Sequence, residues 1–302
     1  MSAYNVNRAY TQNIHKEKIM PTFTNRATLS YSGGVTESNT VTGNITETLS
    51  ATKLSLNSTY SGDTRLTYVV NLVNSGANSF VGLTLTDDLG GYDVNGNTVY
   101  PLSYVEGSLL YLINGAPQPE PTVAQTQPLT LSGISVPAGG NATLIYQADT
   151  TAFAPLAVDN VITNTVTATG AGLTEPVVAS ATVNSDDGPR LTITKALEPV
   201  TVAENGSLTY TFVISNSGNT DATATDNVVV TDLFDPILDI TSVTLNGVPL
   251  ALGTGYTYNT ATGLFETVQG VITVPAATYT QNPDGSISVT EGAAVLTVTG
   301  TI

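Results

Sequence analysis

The 302-residue chain has four lysines, Lys16 and Lys18 near its start and Lys53 and Lys195 in its body. Both body lysines stand in a Thr-Lys pair, within SATK (50–53) and TITK (192–195). Asp87 and Asp232 occur in matching Thr-Asp pairs, and Asn164 and Asn25 in matching Thr-Asn pairs. Lysine, carboxylate and asparagine are the groups a Lys–Asn isopeptide bond requires. A lysine desolvated in a protein interior gives up its proton. The free amine can then attack the carboxamide, while a protonated aspartate moves protons as ammonia leaves. This chemistry predicts that Lys53 and Asn164 cross-link within one chain, with Asp87 as acid and base. It predicts Lys195 and Asn25 as a cross-link between chains, served by Asp232. The plainer reading of the same residues is a surface Lys–Asp ion pair, with the TN and TD pairs as turn residues.

Little other chemistry is open to the chain. It contains no cysteine, no tryptophan and one histidine, His15, which excludes thiol nucleophiles, disulfides, zinc–thiolate sites and haem. No other cluster of acid, base and nucleophile appears, so no enzyme acting on an external substrate is expected. Acidic turns in DVNGN (93–97), in SDDG (185–188, with Asp186 and Asp187) and around Asp226 offer oxygen ligands to Ca²⁺, but none has full EF-hand spacing. No cofactor is expected beyond that one candidate ion. The NIT, NST, NAT and NGS sequons at 44, 57, 141 and 205 are read as by-products of an Asn- and Thr-rich composition. With a formal net charge of −16 and eight scattered Lys and Arg, neither nucleic acid nor an anionic membrane is an expected partner. No apolar run approaches a membrane span. No apolar stretch precedes Met20, so no secretory signal is read.

The elements that position these residues read as strands. Alternating, β-branched runs recur, among them LTYVVNLVN (66–74), LTYTFVISN (208–216), NVVVTDLF (227–234) and VLTVTGTI (295–302). Turns such as DVNGN (93–97) and NPDG (282–285) separate them. No long stretch has helical periodicity. The fold class is all-β, built of tandem Ig-like sandwiches.

An internal repeat sets the organisation. SATK, GDTRLTYVVNLVNSG (62–76) and LTLTDDL (83–89) match TITK, ENGSLTYTFVISNSG (204–218) and VVVTDLF (228–234). YLINGAPQ (111–118), GISVPAGG (133–140) and ATLIYQADT (142–150) match VTLNGVPL (243–250), GVITVPAA (270–277) and AVLTVTGTI (294–302). The first copy then continues through VITNTVTATGAGLTEPVVASATV (161–183), two further strands that the second copy lacks. Their likeness stands at the opposite end of the chain, in TFTNRATLSYSGGVTESNTVTGN (22–44). Lengths agree: 49–190 is 142 residues, while 191–302 and 21–48 are 112 and 28, together 140. The predicted organisation is a tail (1–20), a donor hairpin (21–48), a whole sandwich (49–190) and an incomplete one (191–302).

A sandwich without its last hairpin exposes core side chains and an unpaired strand edge, which invites strand addition. For self-completion the N-terminal hairpin must cross a folded unit about 40 Å wide, and its connection to Leu49 is too short for that. A second copy can supply it, and a head-to-tail contact that does not close generates a fibre. The chain is therefore expected to form a homopolymer, a pilus-like appendage assembled by donor-strand complementation. The alternative is a surface adhesin whose loops bind a glycan or a host protein.

The TK, LTYxxxxxNSG, TD and ITN elements together resemble the prokaryotic conserved-repeat domain of unknown function found in tandem on bacterial and archaeal surface proteins. The resemblance covers nearly all of the chain after residue 20. It implies an Ig-like sandwich in a cell-wall, sheath or adhesin setting and implies no activity. Without a recognised signal peptide or wall anchor, the expected location is extracellular, on a cell or spore surface.

Overall fold

The computed structural model describes residues 22–44, 46 and 48–302. Lys16, Lys18 and His15 lie outside them. Among the described residues the architecture is all-β, with one 3-10 turn at Ala224–Asp226, and no helix is long and apolar enough to cross a membrane.

Two sheets enclose the first hydrophobic cluster, which runs in sequence from Leu49 to Val183. One sheet orders Ala116–Gln118, Leu110–Ile113, Asn141–Thr150, Arg65–Asn74 and Leu49–Ser55. Facing it lie Thr122–Thr126, Leu129–Val136, Phe80–Asp87, Val161–Thr169, Val177–Ser185 and Thr59–Tyr60. Strict alternation explains the arrangement: along Arg65–Asn74 every second residue, from Leu66 to Asn74, is buried. Phe80–Asp87 is held on both edges, by Leu129–Val136 and by Val161–Thr169.

A second cluster runs from Leu208 to Val298. Its five-stranded sheet, ordered Leu191–Glu198, Ser207–Asn216, Gly292–Thr301, Asp239–Leu245 and Val248–Pro249, reproduces the first sheet of the other unit. The opposite layer does not follow. The sequence predicts a strand over 227–234, but only Thr231–Leu233 forms one, paired with Leu264–Thr267 alone. The counterpart of Val161–Thr169 is missing from its other edge, so nothing holds Val228–Val230 in a ladder. Leu191–Glu198 is exposed almost throughout, whereas Leu49 and Lys53 of the matching strand are buried. Leu191, Ile193, Ile214 and Val228–Val230 line an open groove of about 180 Å³.

The N-terminal segment forms a hairpin, Thr22–Asn25 on Val41–Asn44 and Thr28–Tyr31 on Gly34–Glu37. It belongs to neither cluster, and Phe23, Leu29, Tyr31 and Val41 are exposed. Cross-strand partners share a face and residues two apart do too. Phe23, Asn25 and Val41 thus share one face of the first ladder, and Leu29 and Tyr31 one face of the second.

The NSG part of the repeat is structural. Asn74 and Asn216 are buried, and each Nδ2 donates to main-chain carbonyls, of Asn78 and Pro137 in one unit and of Thr220 and Pro275 in the other. Each Oδ1 accepts the N–H of the following glycine, Gly76 or Gly218. A Cβ on Gly218 would lie 2.1 Å from the Gly188 carbonyl oxygen, so this position admits only glycine.

One element has no counterpart in the repeat. Thr278–Gln281 and Ile287–Thr290 form a hairpin where the first unit has only the Pro137–Asn141 turn. It reaches back to the first unit: Ile287 N donates to Ala152 O at 2.7 Å and Asn95 Nδ2 to Pro283 O at 3.0 Å. Asn219 adds a second tie, its Nδ2 donating to Asp187 Oδ1 at 2.6 Å and to Leu156 O at 3.1 Å. Replacing 278–290 by a short Gly-Asn turn should leave both units folded and loosen the joint. Small-angle scattering should then show a larger radius of gyration with unchanged circular dichroism.

Candidate functional site

In the first unit the three predicted residues come from three different strands and meet in the core. Lys53 lies on an inward position of Leu49–Ser55, and its Nζ donates to Asp87 Oδ2 at 2.6 Å. Asp87 ends Phe80–Asp87, and its Oδ1 also accepts the Leu89 N–H at 3.1 Å. The Lys53 and Asp87 side chains are 0% and 4% exposed. Asn164 is fully buried on Val161–Thr169, opposite Ala181. The surface ion-pair reading does not describe this pair.

Two tyrosines complete the site. The Tyr146 hydroxyl donates to Asp87 Oδ2 and accepts from Asn164 Nδ2 at 3.3 Å. Tyr68 stacks on Tyr146 with ring centroids 5.6 Å apart, and Lys53 Nζ lies 5.0 Å from the Tyr68 centroid. The Tyr68 hydroxyl and Asn164 Oδ1 are both buried without a hydrogen-bond partner. An orphaned buried polar group costs about 1–3 kcal/mol, so the site is held in an arrangement that is not its most comfortable one. From the sequence these tyrosines read as cross-strand pairs and rim residues. The available signal for Tyr146 was its inward parity in ATLIYQA, directly opposite Tyr68.

Burial lowers the Lys53 pKa, opposed by the charge and hydrogen bond of Asp87. Burial also pushes Tyr146 well above its ordinary value, and the negative charge of Asp87 adds to that. Burying separate charges costs several kcal/mol per ion. A shared proton that leaves amine beside carboxylic acid avoids much of that cost. The free amine is also the nucleophilic form.

The second site is half-built. Lys195 Nζ donates to Asp232 Oδ2, but the two side chains are 41% and 17% exposed. The desolvated lysine expected there is therefore not present in the single chain, because no hairpin covers Leu191–Glu198. Lys195 lies 4.3 Å from the Tyr210 centroid, and Phe234 stacks on Tyr210 at 5.0 Å. Val298 stands opposite Tyr210, where Tyr146 stands opposite Tyr68. Asn25 sits on the exposed hairpin opposite Val41, in the setting Asn164 has opposite Ala181. Within one chain the structure brings Lys195 to Asp232 and not Asn25 to Lys195.

The calcium candidates serve as turn and cap residues: Asp93 Oδ1 accepts the Gly96 N–H, Asp226 Oδ2 the Thr223 N–H, and Asp187 the Ser185 hydroxyl and the Asn219 amide. Among the described residues no three carboxylates or imidazoles cluster as a metal site would need.

No family model matches the chain, and no curated protein does, so the resemblance to the conserved-repeat domain rests on the motifs alone. Among solved structures the chain is similar to a family 123 glycoside hydrolase from Clostridium perfringens, at 12% identity and a TM-score of 0.30 over 46% of this chain and 27% of that one. It is similar to the pilus backbone RrgB of Streptococcus pneumoniae at 11% identity and a TM-score of 0.33, covering 85% of this chain and 51% of that one. For BcpA, the major pilin subunit of Bacillus cereus, the values are 10% and 0.33, over 89% of this chain and 73% of that one. The chain thus spans about a quarter and about half of the first two.

The lowered Lys53 pKa has a pH consequence wherever the lysine stays unreacted, as in Asn164→Ala. Between the lowered native value and the ordinary 10.5 the unfolded chain binds more protons, so stability attributable to Lys53 rises with pH in that window. Urea titrations of Asn164→Ala and of Lys53→Met/Asn164→Ala from neutral pH to about 9.5 should therefore differ in slope. The single variant should gain stability relative to the double one, and the tyrosines cancel in the comparison.

Proposed function

We propose that the chain is a structural, non-enzymatic subunit of an extracellular or spore-surface filament, in which the hairpin 22–44 of one copy completes the second unit of the next. The observation that carries this reading is a matched pair of defects in one chain. The second unit has an open groove and a frayed strand where the first unit holds Val161–Ser185, and an unattached hairpin of similar sequence exposes apolar side chains of its own. Seated as Val161–Ser185 is seated, a neighbour's hairpin lays Phe23, Leu29, Tyr31 and Val41 into the groove and pairs the free edge of Val228–Leu233. Burying each such side chain is worth about 1.5–3 kcal/mol before the cost of association. The same placement brings Asn25 to Lys195 and Asp232 and covers the exposed lysine. Lys53 with Asn164, and Lys195 with the neighbour's Asn25, then form amides with loss of ammonia.

The joints of such a polymer are not all alike. Within a chain the joint carries the 278–290 hairpin, Asn219 and the Arg190–Asp186 ion pair (2.6 Å). Between chains the corresponding positions are the Pro137–Asn141 turn, Ala77 and Thr48, none of which can make those ties. Filaments should bend at subunit boundaries and stay straight within subunits.

Purified full-length protein should form regular fibres in negative-stain electron microscopy, and protein lacking residues 1–48 should not; ordered fibres from the truncated chain would sink the reading. Asn25→Ala should still form fibres, since it removes no apolar contact, but should abolish SDS-resistant ladders.

A further inference from the structure

The proposed amide at Lys53 needs a proton delivered to the departing nitrogen, Asn164 Nδ2. Asp87 is the acid of the site, yet its oxygens are engaged with Lys53, Leu89 N and Tyr146 and not with Asn164. Tyr146 spans the gap. Its hydroxyl is hydrogen-bonded at once to Asp87 Oδ2 and to Nδ2. The void beside Asp87 and Tyr146, about 10 Å³ and lined by Val70, Leu85, Leu129, Leu131, Leu144 and Val166, is too apolar to hold a water that might carry the proton instead.

We infer that the Tyr146 hydroxyl is the proton relay between Asp87 and the leaving amide nitrogen. The inference rests on the cross-linking part of the reading above and names the group that makes it work. Lys53 Nζ passes its ammonium proton to Asp87 and, as the amine, attacks Cγ of Asn164, so that the Nζ–Cγ bond forms. Asp87 passes its proton to the Tyr146 oxygen as Tyr146 passes its own to Nδ2. The Cγ–Nδ2 bond breaks and nitrogen leaves as ammonia. The hydrogen shed by Nζ returns to Asp87, so acid and phenol end as they began and only ammonia is lost. A phenol suits the task because burial keeps it protonated, so it accepts and donates without carrying charge.

The chain contains its own comparison. At the second site Val298 occupies the position of Tyr146, and Phe234 takes over the ring stacking on Tyr210. The packing is reproduced and the hydroxyl is not. The relay is therefore specific to the intramolecular site, and the bond at Lys195 must do without it.

The test is the rate of ammonia loss, followed by intact mass under denaturing conditions during cell-free synthesis of the full chain. Tyr146→Phe keeps the ring and should slow the loss by about 10²-fold, the lower end of what a positioned acid–base group supplies. It should also shrink the solvent deuterium isotope effect, which a packing change alone would not. Tyr111→Phe, which removes a core hydroxyl bonded to Ser135 and to no group of the site, should stay within a few-fold of wild type. Hydrogen exchange confirms that each variant folds. Loss from Tyr146→Phe at the wild-type rate, with an unchanged isotope effect, overturns the relay. If wild type itself never loses ammonia, the cross-linking reading fails instead.

Discussion

Every β-sheet in this chain must meet one constraint: its inner face has to be covered and its edge hydrogen bonds have to be made. In the first unit the Val161–Ser185 hairpin satisfies both, closing the core over Leu49–Ser55 and pairing the free edge of Phe80–Asp87. The second unit has the same first sheet and similar strand sequences but no such hairpin. The consequences appear at once in local structure, as NVVVTDLF keeps only three residues of strand and Leu191 and Ile193 are left uncovered on the inner face of Leu191–Glu198. Strand propensity is equal in the two copies. What differs is the neighbour, and the neighbour decides.

The same constraint sets the electrostatics. Lys53 and Lys195 stand in matching Thr-Lys pairs and bond the matching aspartates Asp87 and Asp232, yet one pair is sealed and the other partly in water. An exposed lysine–aspartate pair is an ordinary ion pair of little energetic weight. Sealed among Tyr68, Tyr146 and aliphatic side chains, Lys53 has its pKa lowered by burial, against the opposing charge of Asp87. On the proposed cross-linking, covering the site is what would make the lysine a nucleophile. In the proposed polymer a subunit whose second site stays open until a partner docks would then be protected from reacting early, with no separate control element.

The sequence carried much of this because a repeat is an internal alignment. Lys53, Asp87 and Asn164 could be placed together from matching TK, TD and TN pairs, and the missing strands of copy two could be located at the other end. A repeat shows what its copies share and hides what they do not. Tyr146 was passed over because its counterpart is Val298, and the 278–290 hairpin because it falls in a gap between GVITVPAA and AVLTVTGTI. The strand at 227–234 was overread, since periodicity reports which face is apolar and not whether a partner is there to pair with. Asn219 was invisible for the first reason, its counterpart being Ala77.

The placement of the proposed cross-links also has a mechanical logic. Tension on a string of sandwiches enters each unit at its first strand and leaves through its last hairpin. In the first unit that path runs from Leu49 to Ser185, and an amide between Lys53 and Asn164 takes residues 54–163 out of it. The core strands then carry no load, and unfolding them would require breaking a covalent bond. In the second unit of the proposed polymer tension enters at Leu191 and leaves through a hairpin of another chain. Apart from Lys195–Asn25, only strand pairing and apolar burial resist separation there. The same pair of residue types thus does different work at the two sites. At the first it shields a fold that is already continuous, and at the second it supplies the continuity.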